Sequence, residues 1–218
     1  MSTKWFKNKI EFSQYIDYLL NEFSNAEKHS FMNDELLKDI LKHRLWDYTD
    51  YLKDDSEEPS DSCSTRIGCK YWTLSALKKV FDIDGQKIYD AKNNIYYFNK
   101  TGDDKGLIAD HIVPREVIAN DLIKMKSKHT VSEIYKYLND YSKCCVITKA
   151  QDQKLNDGKV KSCLPGNADT AIGYDDAWQR YKDVGINDVC ECTWIKVGNG
   201  RKLQSYKLIN KKWLSIAK

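Results

Sequence analysis

The stretch Ala109-Asp110-His111-Ile112-Val113-Pro114 limits what this chain can be more than any other segment. It ends an apolar run that begins at Gly106 with an acid and an imidazole, and the proline then bars the strand from continuing. Such a strand end gains meaning from whatever packs against it. The nearest partner downstream is Cys144-Cys145-Val146-Ile147, a short continuous apolar run that reads as a buried strand. Thr148 closes it and, with Gln151 three residues on, forms a capping box opening a helix over Lys149 to Leu155. Asn156-Asp157-Gly158 stops that helix.

The rest of the chain surrounds this unit with both element types. Ile10, Phe12, Tyr15, Ile16, Leu19, Leu20 and Phe23 recur at helical spacing, and Asn33-Asp34-Glu35 opens a second run, Leu36, Leu37, Ile40, Leu41 and Leu45. Residues 54 to 62 break every periodicity with acids, serines and a proline, which predicts an exposed linker. The expected division is therefore a helical region over 1–62 and a second domain over 63–218 with its core at 106–158. Thr73 caps a short helix through Phe81, and Lys87 to Tyr89 pairs with Ile95 to Phe98 around Asn93-Asn94. Helices are predicted over Val117 to Met125 and over Val131 to Tyr141, the second opened by a Thr130/Glu133 capping box. A further helix is expected around Ala177 to Lys182. Val189 to Val197 and Lys202 to Leu208 flank Gly198-Asn199-Gly200 as a hairpin. The fold class is α+β, with a helical N-terminal region and a β-rich basic C-terminal region.

Composition narrows the classes of function. With 41% hydrophobic and 31% charged residues, and no apolar run near the roughly 18 residues of a membrane span, the chain reads as soluble, and without a recognisable secretory signal as cytoplasmic. Seven cysteines at spacings that do not match zinc knuckles are expected to be reduced and mostly packed. The net charge of +3 conceals an asymmetry. Residues 1 to 62 carry 14 acids against 8 bases, whereas 196 to 218 hold Lys196, Arg201, Lys202, Lys207, Lys211, Lys212 and Lys218 with no acid. A basic tail of this kind suits a phosphate backbone or a solvated strand pair about equally.

Chemistry enters where the two apolar strands and the capped helix meet. Asp152 and Asn156 are four residues apart and share a helical face. Together with Asp110 they offer three oxygen-bearing side chains, a set that favours Mg²⁺ or Mn²⁺ over zinc. His111, left off the metal, is the expected general base for deprotonating a water. Arg115, just past the proline, could bind a phosphate or be solvated. His29, His43 and His129 have no such context and read as surface residues.

This arrangement resembles the HNH endonucleases, the ββα-metal nucleases, of bacterial or phage type. In that family a strand ends in Asp-His or His-His followed by an apolar residue, any residue and proline, matched here by Asp110 to Pro114. Its second strand and helix match Cys145-Val146-Ile147-Thr148-Lys149-Ala150-Gln151-Asp152-Gln153-Lys154-Leu155. The resemblance implies a Mg²⁺- or Mn²⁺-dependent hydrolase of phosphodiester bonds in double-stranded DNA. His111 would be the catalytic base, Asp110, Asp152 and Asn156 the metal ligands, and Arg115, Lys154, Arg201, Lys202, Lys207, Lys211 and Lys212 phosphate contacts. Asp152 stands where the family's helix histidine is usual, and the nearest counterparts of its central asparagine are Lys143 and Asn139. Trp178 to Ile186 is similar to a segment flanking the core in some members. A role in restriction or phage defence, a homodimer, and a regulatory or dimerising use of the acidic N-terminal helices are the wider expectations. The alternative is an HNH-derived binding or interaction module that no longer cleaves.

Overall fold

A computed structural model describes residues 8–24, 33–50, 67–126, 129–165, 170–172, 178–198 and 200–209. The 54–62 linker, His29, Lys211 and Lys212 lie outside the described residues. Two helices come first, α1 (Lys9–Ser24) and α2 (Asp34–Asp50), followed by β1 (Tyr71–Thr73) and α3 (Leu74–Val80). A separate antiparallel pair, β2 (Ile88–Asp90) and β3 (Ile95–Tyr97), turns at Asn94, whose φ of 52° is the left-handed conformation asparagine tolerates. Then come β4 (Leu107–His111), α4 (Arg115–Met125), α5 (Val131–Tyr141), β5 (Cys144–Thr148) and α6 (Lys149–Asp157). The described chain ends with α7 (Gln179–Asp183) and the hairpin β6 (Val189–Val197) and β7 (Gly200–Leu208). The architecture is mixed α+β, and no helix among the described residues is long and apolar enough to cross a membrane.

Five strands form the main sheet in the order β4-β5-β1-β6-β7. β1 runs parallel to β5 and antiparallel to β6, and β4 runs antiparallel to β5. The sequence pattern does not announce β1, because three residues are too few to show an alternation. All three are buried, as a central strand requires. Alternation along β5 divides the core. Cys145 and Ile147 join Phe12, Leu41, Ile118, Ile134 and Tyr181 on the face covered by most of the helices, while Val146 joins Trp72, Phe81 and Leu203 beside α3. Trp72, Phe81 and Trp194 meet there with ring centroids 5.7 to 6.2 Å apart.

The N-terminal helices share the larger of these cores, α1 packing on α5 and α2 on α4. Glu116 of α4 pairs with Lys38 and, at 2.7 Å, with Lys42, and Arg115 donates to the Lys42 carbonyl at 2.7 Å. His129 departs from the surface reading: its side chain is 2% exposed, with Nδ1 2.7 Å from the Met125 carbonyl and Nε2 3.0 Å from Asp17 of α1. The closing of α1 over the end of α4 buries it. His43 is exposed as expected. Both capping boxes, Thr130/Glu133 and Thr148/Gln151, form. Cys144, Cys145, Cys190 and Cys192 are buried free thiols.

Candidate active site

Register fixes where the acid and the imidazole of β4 go. Asp110 lies across from Cys145 and His111 across from Cys144, and successive side chains on a strand leave it in opposite directions. Asp110 therefore enters the face that carries Cys145, where it is 8% exposed. There Oδ2 accepts hydrogen bonds from Arg180 Nη2 and, at 2.6 Å, from the Tyr181 hydroxyl. Arg180 is completely buried and uses its whole fork. Nε donates to the Ile112 carbonyl at 2.8 Å, Nη1 to the carbonyls of Val160 (3.0 Å) and Lys161 (3.3 Å), and Nη2 also to that of His111. One guanidinium thus ties the end of β4 to the segment leaving α6. Burial holds the Tyr181 phenol well above its ordinary pKa, and the Asp110 charge adds to this, so the hydroxyl stays a donor.

The second carboxylate arrives on α6. Thr148 Oγ1 accepts from the Gln151 backbone N–H at 3.2 Å, and Gln151 Oε1 accepts from the Thr148 N–H at 3.0 Å. Gln151 Oε1 also accepts from Thr73 Oγ1 at 2.8 Å, and Gln151 Nε2 donates to Asp188 at 3.0 Å. The helix start is therefore anchored to β1 and to the approach to β6. Its end falls at Gly158, as the sequence predicts. Gly158 has an ordinary helical backbone, and the left-handed residue is Lys159, with φ 55°. Gly158 is needed for space, since a Cβ there would lie 2.5 Å from Val184 Cγ1. The turn at Lys159 reverses the chain so that the carbonyls of 160 and 161 face Arg180. The Lys161 ammonium falls back onto Asp152 Oδ1.

Four charges are therefore gathered here. Burial pushes the Asp110 carboxyl above its ordinary pKa, while Arg180, the Tyr181 hydrogen bond and Lys161 pull it down and the nearby Asp152 charge raises it again. Asp110 and Asp152 are thus within electrostatic reach of one another. Asn156 is exposed one helical turn further along α6, and Lys154 is exposed on the same helix.

His111 has separate surroundings. It is 3% exposed, and its ring meets the Leu45 backbone of α2 and lies near Arg115. Burial, reinforced by the Arg115 and Arg180 charges, lowers its pKa from 6.5 to about 3 in spite of the Leu45 hydrogen bond. The imidazole is neutral at physiological pH. Lys143 meets the strand end through its backbone, its carbonyl accepting from the Ile112 N–H at 2.8 Å, and Asn139 accepts from Lys9 of α1 at 3.2 Å.

Among the candidate phosphate contacts, Arg115 is engaged with α2. Arg201, Lys202 and Lys207 lie on β7, at the sheet edge opposite β4, with Lys207 exposed and Lys202 5.7 Å from the Tyr97 ring centroid. Sequence reasoning left Arg180, Tyr181, Lys161 and Leu45 out of the site. The Trp178 to Ile186 segment was the one signal for the first two, and a buried arginine cannot be read from periodicity. Lys161 and Leu45 carried none.

Both carboxylates of the expected donor set carry a basic partner in this structure, Arg180 on Asp110 and Lys161 on Asp152. Asp110 and Asp152 each engage a single oxygen, leaving Asp110 Oδ1 and Asp152 Oδ2 with no hydrogen-bond partner among the described residues. Both side chains keep some exposure, 9% and 14%. Carboxylate and amide oxygens are what Mg²⁺ and Mn²⁺ take, with water completing the shell. Among the described residues no group of three or more His, Cys, Asp or Glu side chains is placed to hold a metal ion. No protein-family model, curated protein or solved structure matches the chain.

Proposed function

We propose that this chain is a divalent-metal-dependent endonuclease of the HNH, or ββα-metal, kind that hydrolyses phosphodiester bonds in double-stranded DNA. The observation that carries the reading is the antiparallel pairing of β4 with β5, followed directly by α6, which brings Asp110 and Asp152 within electrostatic reach of one another, while His111, the next residue of β4, leaves the strand in the opposite direction. A Mg²⁺ or Mn²⁺ ion held by Asp110, Asp152 and Asn156 would supply charge stabilisation at the non-bridging and leaving oxygens of the phosphate. Arg180 and Tyr181 are positioning residues: they fix the Asp110 carboxylate and, through the His111 and Ile112 carbonyls, the end of the strand. To act as general base His111 would have to leave its contact beneath α2, because burial there holds its pKa at about 3, far below that of a base working near neutral pH. Lys154 and the basic residues of β7 would meet backbone phosphates. A cytoplasmic role in restriction or phage defence and a two-fold dimer fit this chemistry.

One observation favours the alternative, a nucleic-acid-binding module that does not cleave. His111 lies closed beneath α2, so substrate water reaches it only after that contact opens. A single assay separates the readings. Supercoiled plasmid incubated with the protein and Mg²⁺ or Mn²⁺ is converted to nicked or linear forms, and chelator stops the conversion. Retarded but uncut plasmid with both ions would establish the binding module instead.

A further inference from the structure

The β2–β3 pair stands apart from the main sheet. Alternation puts Tyr89 and Tyr96 on one of its faces and Ile88 and Tyr97 on the other. Phe98, just past β3, anchors it: the residue is buried, its N–H donates to the Leu203 carbonyl of β7 at 2.8 Å, and its ring lies 5.6 Å from that of Tyr206. Beyond the anchor the rings turn outward. Tyr89 and Tyr96 sit directly across from one another with centroids 4.8 Å apart, yet the two residues are 49% and 57% exposed. Such a pair stabilises a hairpin, and its outer sides also offer a flat surface to a planar ligand.

The charge around these rings selects the ligand. Residues 86–100 and 200–208 hold six bases, three in each segment, against the single acid Asp90. Asp90 turns its carboxylate onto its own loop, accepting from the Lys92 N–H at 3.0 Å and the Asn93 amide at 2.8 Å. The Lys87 ammonium, on an exposed residue, lies 4.7 Å from the Phe98 centroid and donates to the Gln204 carbonyl at 3.1 Å. On the other face the Lys202 ammonium lies 5.7 Å from the Tyr97 centroid. Rings for bases and ammonium groups for phosphates are the two halves of a single-strand surface. A duplex keeps its base faces stacked inside, so outward rings meet them only where the strands have parted.

We propose that the β2–β3 hairpin and the adjoining edge of β7 bind single-stranded DNA, its bases stacking on Tyr89 and Tyr96 while Lys87 and Lys202 meet its backbone. This holds whether or not the chain cleaves, because the hairpin packs on β7, at the sheet edge opposite β4.

Fluorescence anisotropy of labelled oligo(dT) of about 16 nucleotides, and of a duplex of the same length, tests this on the full chain with chelator present. Tyr89→Leu/Tyr96→Leu should bind oligo(dT) about ten-fold more weakly than wild type, and Tyr89→Phe/Tyr96→Phe within about three-fold of it. Leucine keeps an apolar cross-strand pair but has no stacking face. Duplex affinity should change by less than about two-fold in either pair, since paired bases do not reach the rings. Lys87→Gln/Lys202→Gln, at surface positions that leave the tyrosine pair intact, should lower the slope of log affinity for oligo(dT) against log salt by about 1.4. Equal oligo(dT) binding by wild type and the leucine pair, or none by wild type at about 0.1 mM, would overturn the stacking surface. An equal loss on duplex would overturn its preference for single strands, and an unchanged salt slope the backbone contacts. Loss of self-association in the leucine pair, with oligo(dT) binding kept, would show instead that a second copy covers the rings.

Discussion

Arg180 shows how one side chain can organise a site without touching substrate. A planar fork satisfies four carbonyls and one carboxylate, which a lysine could not do. The Asp110-His111 pair was legible because a polar pair before proline at the end of an apolar run is a local signal. Its partners were not, because the burial of Arg180 follows from how α7 packs, some seventy residues away. His111 carries the sharpest prediction at this scale. Its pKa falls from 6.5 to about 3 on folding, so between those values the unfolded chain binds a proton that the native chain refuses. The stability tied to its neutral form is complete above about pH 6.5 and is lost as pH falls toward about 3, on the order of a few kcal/mol in all. Urea midpoints should therefore drop more steeply from pH 6.5 to 4 in wild type than in His111→Gln. Parallel curves would show that His111 is not held neutral by the fold.

Elements were easier to read than contacts. The Thr-x-x-Glu and Thr-x-x-Gln boxes opened α5 and α6 where expected, because a cap is written in four consecutive residues. α6 also stops at Asn156-Asp157-Gly158 as its sequence predicts, although glycine usually marks the left-handed residue of such a stop. Here Gly158 makes room for Val184 while Lys159 takes the positive φ. That assignment has a measurable cost: Lys159→Gly relieves the left-handed strain and should stabilise the chain by about 1 kcal/mol in urea denaturation. An unchanged or lowered midpoint would mean the turn carries no strain. The three-residue β1 escaped notice for the opposite reason. Its place is set by non-local pairing to β5 and β6, which no short window displays.

Across the whole molecule, the sheet separates two charged features. The carboxylate site lies by β4 and β5, and the basic hairpin forms the far edge, about four strand spacings or roughly 19 Å away. At that edge Lys196 faces Arg201 directly, a like-charge pair that costs stability unless an anion sits over it. Lys196→Glu should therefore stabilise the chain by about 0.5 kcal/mol and lower the slope of log affinity for DNA against log salt by about 1. A gain in stability with no change in slope would make the hairpin a structural edge. The acidic N-terminal helices, separable by composition, share a core with α4 and α5, and α2 closes over His111. Charge patterns show which surfaces differ, whereas hydrophobic periodicity leaves unsaid which helix covers which strand.

The central claim is that this chain cuts DNA through His111. Its most direct test is the rate of supercoiled plasmid nicking in Mn²⁺ by wild type and by His111→Ala, each checked for a native thermal transition. The account predicts metal-dependent nicking by wild type and a loss of at least about a hundred-fold in the variant. Equal rates in the two proteins, or no nicking by wild type, would contradict it.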